Sequence, residues 1–197
     1  MKKDIILAGV GGQGVLSIAA IIARAAAAGR LTVRQSEVHG MAQRGGAVLA
    51  HLRLADGPVF CDLVPQGGAD MIIAMEPLES LRYAQWLAPD GALISAEEPL
   101  VNIPNYPEIH EVLQAIRRFP LFRLVQAAAL AKEAGLPKAV NMVMVGAASP
   151  FLPLSAETLE TTIAGAFAGK EPAIAQANIA AFRLGRDAAA GQRGPAQ

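Results

Sequence analysis

Cysteine is nearly absent from the 197-residue chain: Cys61 stands alone. One thiol cannot form an internal disulfide, a cysteine-rich zinc site or a four-cysteine iron–sulfur cluster, and such usage fits a reducing compartment. Charge is sparse and has no net sign. Lys plus Arg and Asp plus Glu number 17 each, and charged residues make up 17% of the chain, against about 25% in an average soluble protein. This argues against a nucleic-acid binder. Aromatics amount to only 5%, although the wider hydrophobic class reaches 53%. A chain so poor in charge is expected to bury surface against a partner. Long apolar runs are missing as well. Gly9, Gly11, Gly12 and Gly14 break the first and Arg24 splits the second, so none reaches the ~18 residues that a spanning helix needs. Asp4 interrupts the basic start at Lys2 and Lys3, which argues against a secretory signal. A cytoplasmic protein is expected.

What is present reads as alternating strands and helices. Residues 4–8 are a short apolar run, followed by a glycine cluster and a helix-favouring segment over 13–28. Strands are predicted at 31–35 and 47–54, with a polar loop from Ser36 to Arg44 between them. The continuous apolar run 71–75 suits a buried parallel strand, feeding a helix over 78–87, and 91–95 repeats the pattern more weakly. Pro99, Pro104 and Pro107 predict an irregular excursion over 97–110. Beyond it a strand is predicted at 121–125 and helices at 127–134 and 141–148. A further helix is capped by Ser155, and a last one covers 172–190. Residues 1–190 therefore read as one domain, with 191–197 as a flexible tail. The expected fold is a Rossmann-like three-layer α/β domain with a mostly parallel sheet and a helical C-terminal extension.

The sharpest motif is Gly9-Val10-Gly11-Gly12-Gln13-Gly14, which satisfies G-x-G-x-x-G directly after a strand and opens a helix. Glycines there let backbone N–H groups approach a phosphate at a helix N-terminus. The same glycines can equally serve close packing of strand on helix. A P-loop is excluded, because Val15 and Leu16 stand where Lys and Ser/Thr would be needed. A dinucleotide site wants an acid about 20 residues on. Arg34 occupies roughly that place and Glu37 comes three residues late, so a nicotinamide site is poorly supported.

The segment Ser36 to Gly46 gathers Glu37, His39, Gln43 and Arg44 beside Gly45 and Gly46. Arg44 can clamp a phosphate or carboxylate, His39 and Gln43 can hydrogen-bond a ligand, and Glu37 can hold Arg44 or His39 in place. An ordinary solvated loop with a local Glu37–Arg44 pair is the plainer alternative. Other searches fail. His110-Glu111 begins H-E-x-x-H, but Gln114 occupies the second histidine position, and no serine has lysine three residues on. His51 is expected to face a sheet neighbour, and Cys61 to pack rather than react. No residue is singled out as catalytic or as a metal ligand.

The glycine motif together with Ser36-Glu37-Val38-His39-Gly40-Met41-Ala42-Gln43-Arg44-Gly45-Gly46 resembles the gamma domain of 2-oxoacid:ferredoxin oxidoreductases (pyruvate/ketoisovalerate oxidoreductase gamma type). Asn141-Met142-Val143-Met144-Val145-Gly146 and Asn178-Ile179-Ala180-Ala181-Phe182-Arg183-Leu184-Gly185 extend the likeness over nearly the whole chain. Within the family it most resembles the small (beta) subunit of the indolepyruvate type. The resemblance implies a non-autonomous subunit of an enzyme that oxidatively decarboxylates a 2-oxoacid with coenzyme A, giving acyl-CoA, CO2 and reduced ferredoxin. It further implies a large partner, in a heterodimer or heterotetramer, that holds thiamine diphosphate, Mg and 4Fe-4S clusters. By the same resemblance coenzyme A would lie at the cleft of the complex, met by Gly9, Gly11, Gly12, Gln13, Gly14, Glu37, His39, Gln43, Arg44, Gly45 and Gly46. The alternatives are a purely structural assembly subunit and a stand-alone NAD(P)-dependent oxidoreductase.

Overall fold

The computed structural model describes residues 1–39 and 45–190. Its centre is the strand β1 (Lys2–Val10), in which every side chain from Asp4 to Val10 is buried. Because successive side chains alternate, Ile5 and Leu7 enter one core while Ile6 and Ala8 enter another on the opposite face. This explains the unbroken apolar run: a strand covered on both faces has no solvent side to mark with polar residues. Each fully buried Ile or Leu there stabilises the fold by about 1.5–3 kcal/mol.

Helix α1 (Val15–Ala28) follows, then β2 (Thr32–His39), β3 (Ala47–Ala55) and β4 (Ala69–Ala74). The short α2 (Pro77–Arg82) leads into β5 (Leu87–Ala96), and α3 (Ile109–Ile116) into β6 (Phe122–Val125). Four helices complete the chain: α4 (Ala127–Glu133), α5 (Val140–Ala148), α6 (Ala156–Ala166) and α7 (Pro172–Ala190). The strand order is β2-β3-β1-β4-β5-β6. β4, β5 and β6 run parallel to β1, and β3 alone runs against the rest. The sheet is thus mostly parallel in direction, and helices cover both faces. The helical C-terminal extension is built into the main core through Ala181 and Phe182, both fully buried. None of the described helices is long and apolar enough to cross a membrane.

Several details differ from expectation. β2 continues through Ser36, Glu37, Val38 and His39, where a loop was predicted. It is an edge strand paired with β3 alone, so its polar side chains need not be buried. The helix predicted over 78–87 stops at Arg82, and β5 begins at Leu87, ahead of the expected 91. Gly91 lets it pass β4 closely: a Cβ there would lie 2.8 Å from the Ala69 carbonyl oxygen. The excursion is irregular only as far as Glu108, since α3 starts at Ile109. Cys61 is exposed, not packed. Arg53 fixes its loop by donating to the carbonyls of Cys61 and Leu63, at 2.9 and 3.1 Å. The Ser155 cap forms as expected, accepting from the Thr158 N–H at 3.0 Å. The predicted tail, 191–197, lies outside the described residues.

Two glycines decide how α5 and α7 cross. A Cβ on Gly146 would fall 1.9 Å from the Phe182 carbonyl oxygen, and one on Gly185 would fall 2.0 Å from that of Val143. The two helices therefore touch backbone to backbone.

Candidate functional site

The connections leaving β1 and β4 diverge. α1 lies over the face lined by Ile5 and Leu7, whereas α2 lies over the face lined by Ile6 and Ala8. In an open α/β sheet such a divergence leaves a crevice at the carboxyl ends of the two strands, where ligands bind. A cleft of about 460 Å³ lies there. Gly12 and Gln13 line it from the turn after β1, Met75 from the end of β4, Ala96 from the end of β5, and Glu98 and Lys138 from the far side.

The predicted glycine turn divides by role. Gly9 packs: a Cβ on it would lie 2.7 Å from Val15 Cγ2 and 3.1 Å from Met75 Cβ. Gln13 braces the turn, its Oε1 accepting from the Val10 N–H at 2.8 Å and its Nε2 donating to the Met75 carbonyl at 3.2 Å. It ties β1 to the end of β4 and has both amide atoms committed. Gly12 has φ +100° with nothing within 4 Å of a would-be Cβ, and Gly14 takes φ +84° as the N-cap of α1. Among the described residues the N–H groups of Gly12 and Gly14 donate to nothing. With the first amides of α1 they form a cluster of free donors, the arrangement that receives an anion.

The second predicted segment arrives beside the first. The Gly11 N–H donates to the Gly46 carbonyl at 2.8 Å and the Gly45 N–H to the Gly11 carbonyl at 3.4 Å. His39 pairs in register with Val48 at the near end of the hairpin. Glu37, opposite Ala50, is exposed on the edge strand and accepts from Gln35 Nε2 at 3.4 Å. Gln43 and Arg44 lie outside the described residues. Since β3 runs between β1 and β2, Arg34 and Glu37 sit one strand away from where a dinucleotide ribose would need them. Arg34 instead faces Asp62 at 3.7 Å.

The residues that fasten the segments around the cleft escaped sequence reasoning. Glu76 is buried at the end of β4 and caps α2 by accepting from the Glu79 N–H at 2.8 Å. It also takes a hydrogen bond from the Tyr106 hydroxyl and a longer one from the Leu100 N–H, at 3.4 Å. Burial, then the neighbouring Glu76 carboxylate, raises the Tyr106 pKa and keeps that hydroxyl a donor. Glu79 nearby is held above the usual carboxylate range by burial, against the pull of Arg82. Asn102 Nδ2 donates to the Gly45 carbonyl at 2.8 Å, so the proline-rich excursion is fastened at both Glu76 and Gly45. Glu98, on the lining of the cleft, accepts from the N–H groups of Ala127 and Ala128 at 3.2 and 2.9 Å, which turns its carboxylate to the start of α4. The Glu-Pro pair at the start of α2 was a readable capping signal; its tie to Tyr106 had no local signature. His51, as expected, meets a neighbour: its Nδ1 accepts from the Val64 N–H at 3.1 Å, and burial, with Arg53 adding to it, lowers its pKa.

Residues 4–188 match the family described as pyruvate ferredoxin/flavodoxin oxidoreductase. The chain belongs to this family. Among curated oxidoreductase relatives, the indolepyruvate oxidoreductase subunit IorB of Archaeoglobus fulgidus is 38% identical over 194 residues, covering 94% of each chain. The gamma subunit of a keto/oxoacid ferredoxin oxidoreductase from Geobacter sulfurreducens has the same fold, with a TM-score of 0.72 at 23% identity, over 96% of this chain and 97% of that one. The 2-oxoglutarate:ferredoxin oxidoreductase of Magnetococcus marinus, solved with 2-oxoglutarate, coenzyme A and succinyl-CoA bound, superposes with a TM-score of 0.78 at 22% identity. That match covers 98% of this chain but only 32% of the other, so the fold forms one part of a larger oxidoreductase chain there.

Proposed function

We propose that this chain is the small subunit of a 2-oxoacid:ferredoxin oxidoreductase of the indolepyruvate type, acting in the cytoplasm with a large partner subunit. The complex oxidatively decarboxylates an aryl 2-oxoacid with coenzyme A, giving acyl-CoA, CO2 and reduced ferredoxin. The observation that carries this reading is the 38% identity to an indolepyruvate oxidoreductase subunit over 94% of both chains. A single cysteine cannot supply four thiolates, so the 4Fe-4S clusters belong to the partner; thiamine diphosphate and Mg are assigned to it by the family resemblance. The domain that does this work is residues 1–190.

Coenzyme A supplies the thiol that accepts the acyl group, and its pyrophosphate is the anion suited to the cleft. The free N–H groups of Gly12 and Gly14 and the positive end of α1 attract it, and Lys138 faces it from the far wall. Gly11, Gly45 and Gly46 hold the turn against the hairpin, while Gly9 and Gln13 fix its shape. His39, Gln43 and Arg44 are assigned to the ligand by the family resemblance, Arg44 as the clamp on its anionic group, with Glu37 holding Arg44 or His39. The test is anaerobic co-purification of the tagged chain, followed by iron and thiamine analysis and by assay with indolepyruvate, coenzyme A and ferredoxin. A large iron- and thiamine-containing partner with coenzyme A-dependent turnover supports the reading; a lone chain without these overturns it.

One observation favours a purely structural role: Gly9 and Gln13 are spent on packing and bracing. Arg44→Ala separates the two. A ligand role raises the apparent KM for coenzyme A while the complex still elutes intact on size exclusion, whereas an assembly role breaks the complex.

A further inference from the structure

A second cleft, of about 480 Å³, opens between α1, α5 and the α6–α7 junction. Its size falls in the range of about 300–1,000 Å³ typical of small-molecule sites. Ile21, Met142, Phe167 and Ile174 give it apolar walls. Its charged lining is entirely cationic, Arg24 from α1 and Lys138 from the segment before α5, with no Asp or Glu. Among the described residues neither cation has an ion-pair or hydrogen-bond partner. The two amides of the lining divide: Asn178 Nδ2 donates to the Ile174 carbonyl at 2.8 Å, which leaves its Oδ1 as an acceptor, whereas Asn141 adds a donor. Asn141 Oδ1 is taken by the Met142 N–H at 3.0 Å, which leaves its Nδ2 as a donor.

An apolar hollow with two unpaired cations at its mouth disfavours a cationic ligand, and a neutral apolar one would use neither charge. An anion on an apolar body meets both demands. We infer that this cleft binds an amphipathic organic anion, an aromatic or branched body carrying one carboxylate or phosphate head. The body lies on Phe167 and Ile174, and the head meets Arg24 and Lys138. Arg24 belongs to this cleft alone, whereas Lys138 also lines the cleft at the glycine turn.

The test is calorimetric titration of the full-length chain at low salt with phenylacetate, phenyl phosphate and, as the reversed-charge control, benzylamine. Saturable one-to-one binding of phenylacetate or phenyl phosphate is expected, whichever binds tighter identifying the head group, with none for benzylamine. Arg24→Gln, on an exposed position that leaves the fold intact, is expected to weaken anion binding about tenfold. Ala20→Phe, filling the cleft from α1, abolishes it. No saturation by either anion at millimolar concentration overturns the inference, and so does binding that both variants leave unchanged while their thermal midpoints match that of the parent.

Discussion

The glycines of the turn after β1 and those where α5 crosses α7 have opposite surroundings. At Gly12 a Cβ would meet nothing within 4 Å, and the residue is needed for its positive φ. At Gly146 and Gly185 the helical backbone is ordinary, yet a Cβ would collide with a carbonyl oxygen about 2 Å away. In one place glycine buys a backbone shape and leaves room for a visitor; in the other it removes all room. The difference shows why a glycine motif alone does not identify a binding site. Both kinds of glycine sit in the segments that carry the family resemblance, yet the space at the crossing is filled and that beside Gly12 is empty.

The largest effect is expected at the helix crossing. Gly185→Ala or Gly146→Ala should cost about 3 kcal/mol or more, as overpacking that only a shift of α7 can relieve. Urea unfolding of the purified chain measures it, and a cost below that of Gly12→Ala would reverse the comparison. Gly12→Ala should cost about 1–2 kcal/mol, from its left-handed backbone alone. It should also raise the apparent KM for coenzyme A in the assembled complex. Gln13→Ala removes two hydrogen bonds between β1 and the end of β4, which contribute about 0.5–1.5 kcal/mol each. Unfolding midpoints of the single and double variants with Gly12→Ala would show whether brace and turn act as one unit.

The smallest effect concerns pH. His51 has a folded-state pKa below its ordinary 6.5, so its contribution is fully present above pH 6.5 and is lost as pH falls through the lowered value. The neutral ring accepts from Val64, and protonation destroys that acceptor. Asp4 adds a second, more acidic step. Burial works against its ionised form, but hydrogen bonds from Arg53 and Lys2 outweigh this and hold its pKa below 3.8. Its contribution is therefore present above pH 3.8 and lost below. Urea midpoints measured from pH 8 to pH 3 should decline in these two stages, and His51→Leu should remove the first.

Where local rules sufficed, the sequence could be read directly. The turn after β1, the Ser155 cap and the buried runs of β1 and β4 each follow from a few neighbouring residues. What could not be read depended on distant partners. Ser36 to His39 look like loop because their polar side chains sit on an edge strand, and only the pairing with β3 makes them extended. The place of β3 between β1 and β2 leaves no mark in composition, yet it is what withdraws Arg34 from the glycine turn. Cys61 lies exposed on a loop, its carbonyl held by Arg53, eight residues earlier. Likewise Glu76 and Tyr106 find each other only once the excursion has folded back.

The central position of β1 also governs when the molecule can form. It is among the first segments synthesised, yet its neighbours are β3 and β4, and the second of these ends at Ala74. At a translation rate of about 5–20 residues per second, β1 waits roughly 3–13 s after its own completion for both edges to be covered. The main core then lacks Phe182 until α7 has emerged from the ribosome. The nascent chain therefore holds its central strand without β4 beside it until Ala74 has been made, and the last helix completes the main core.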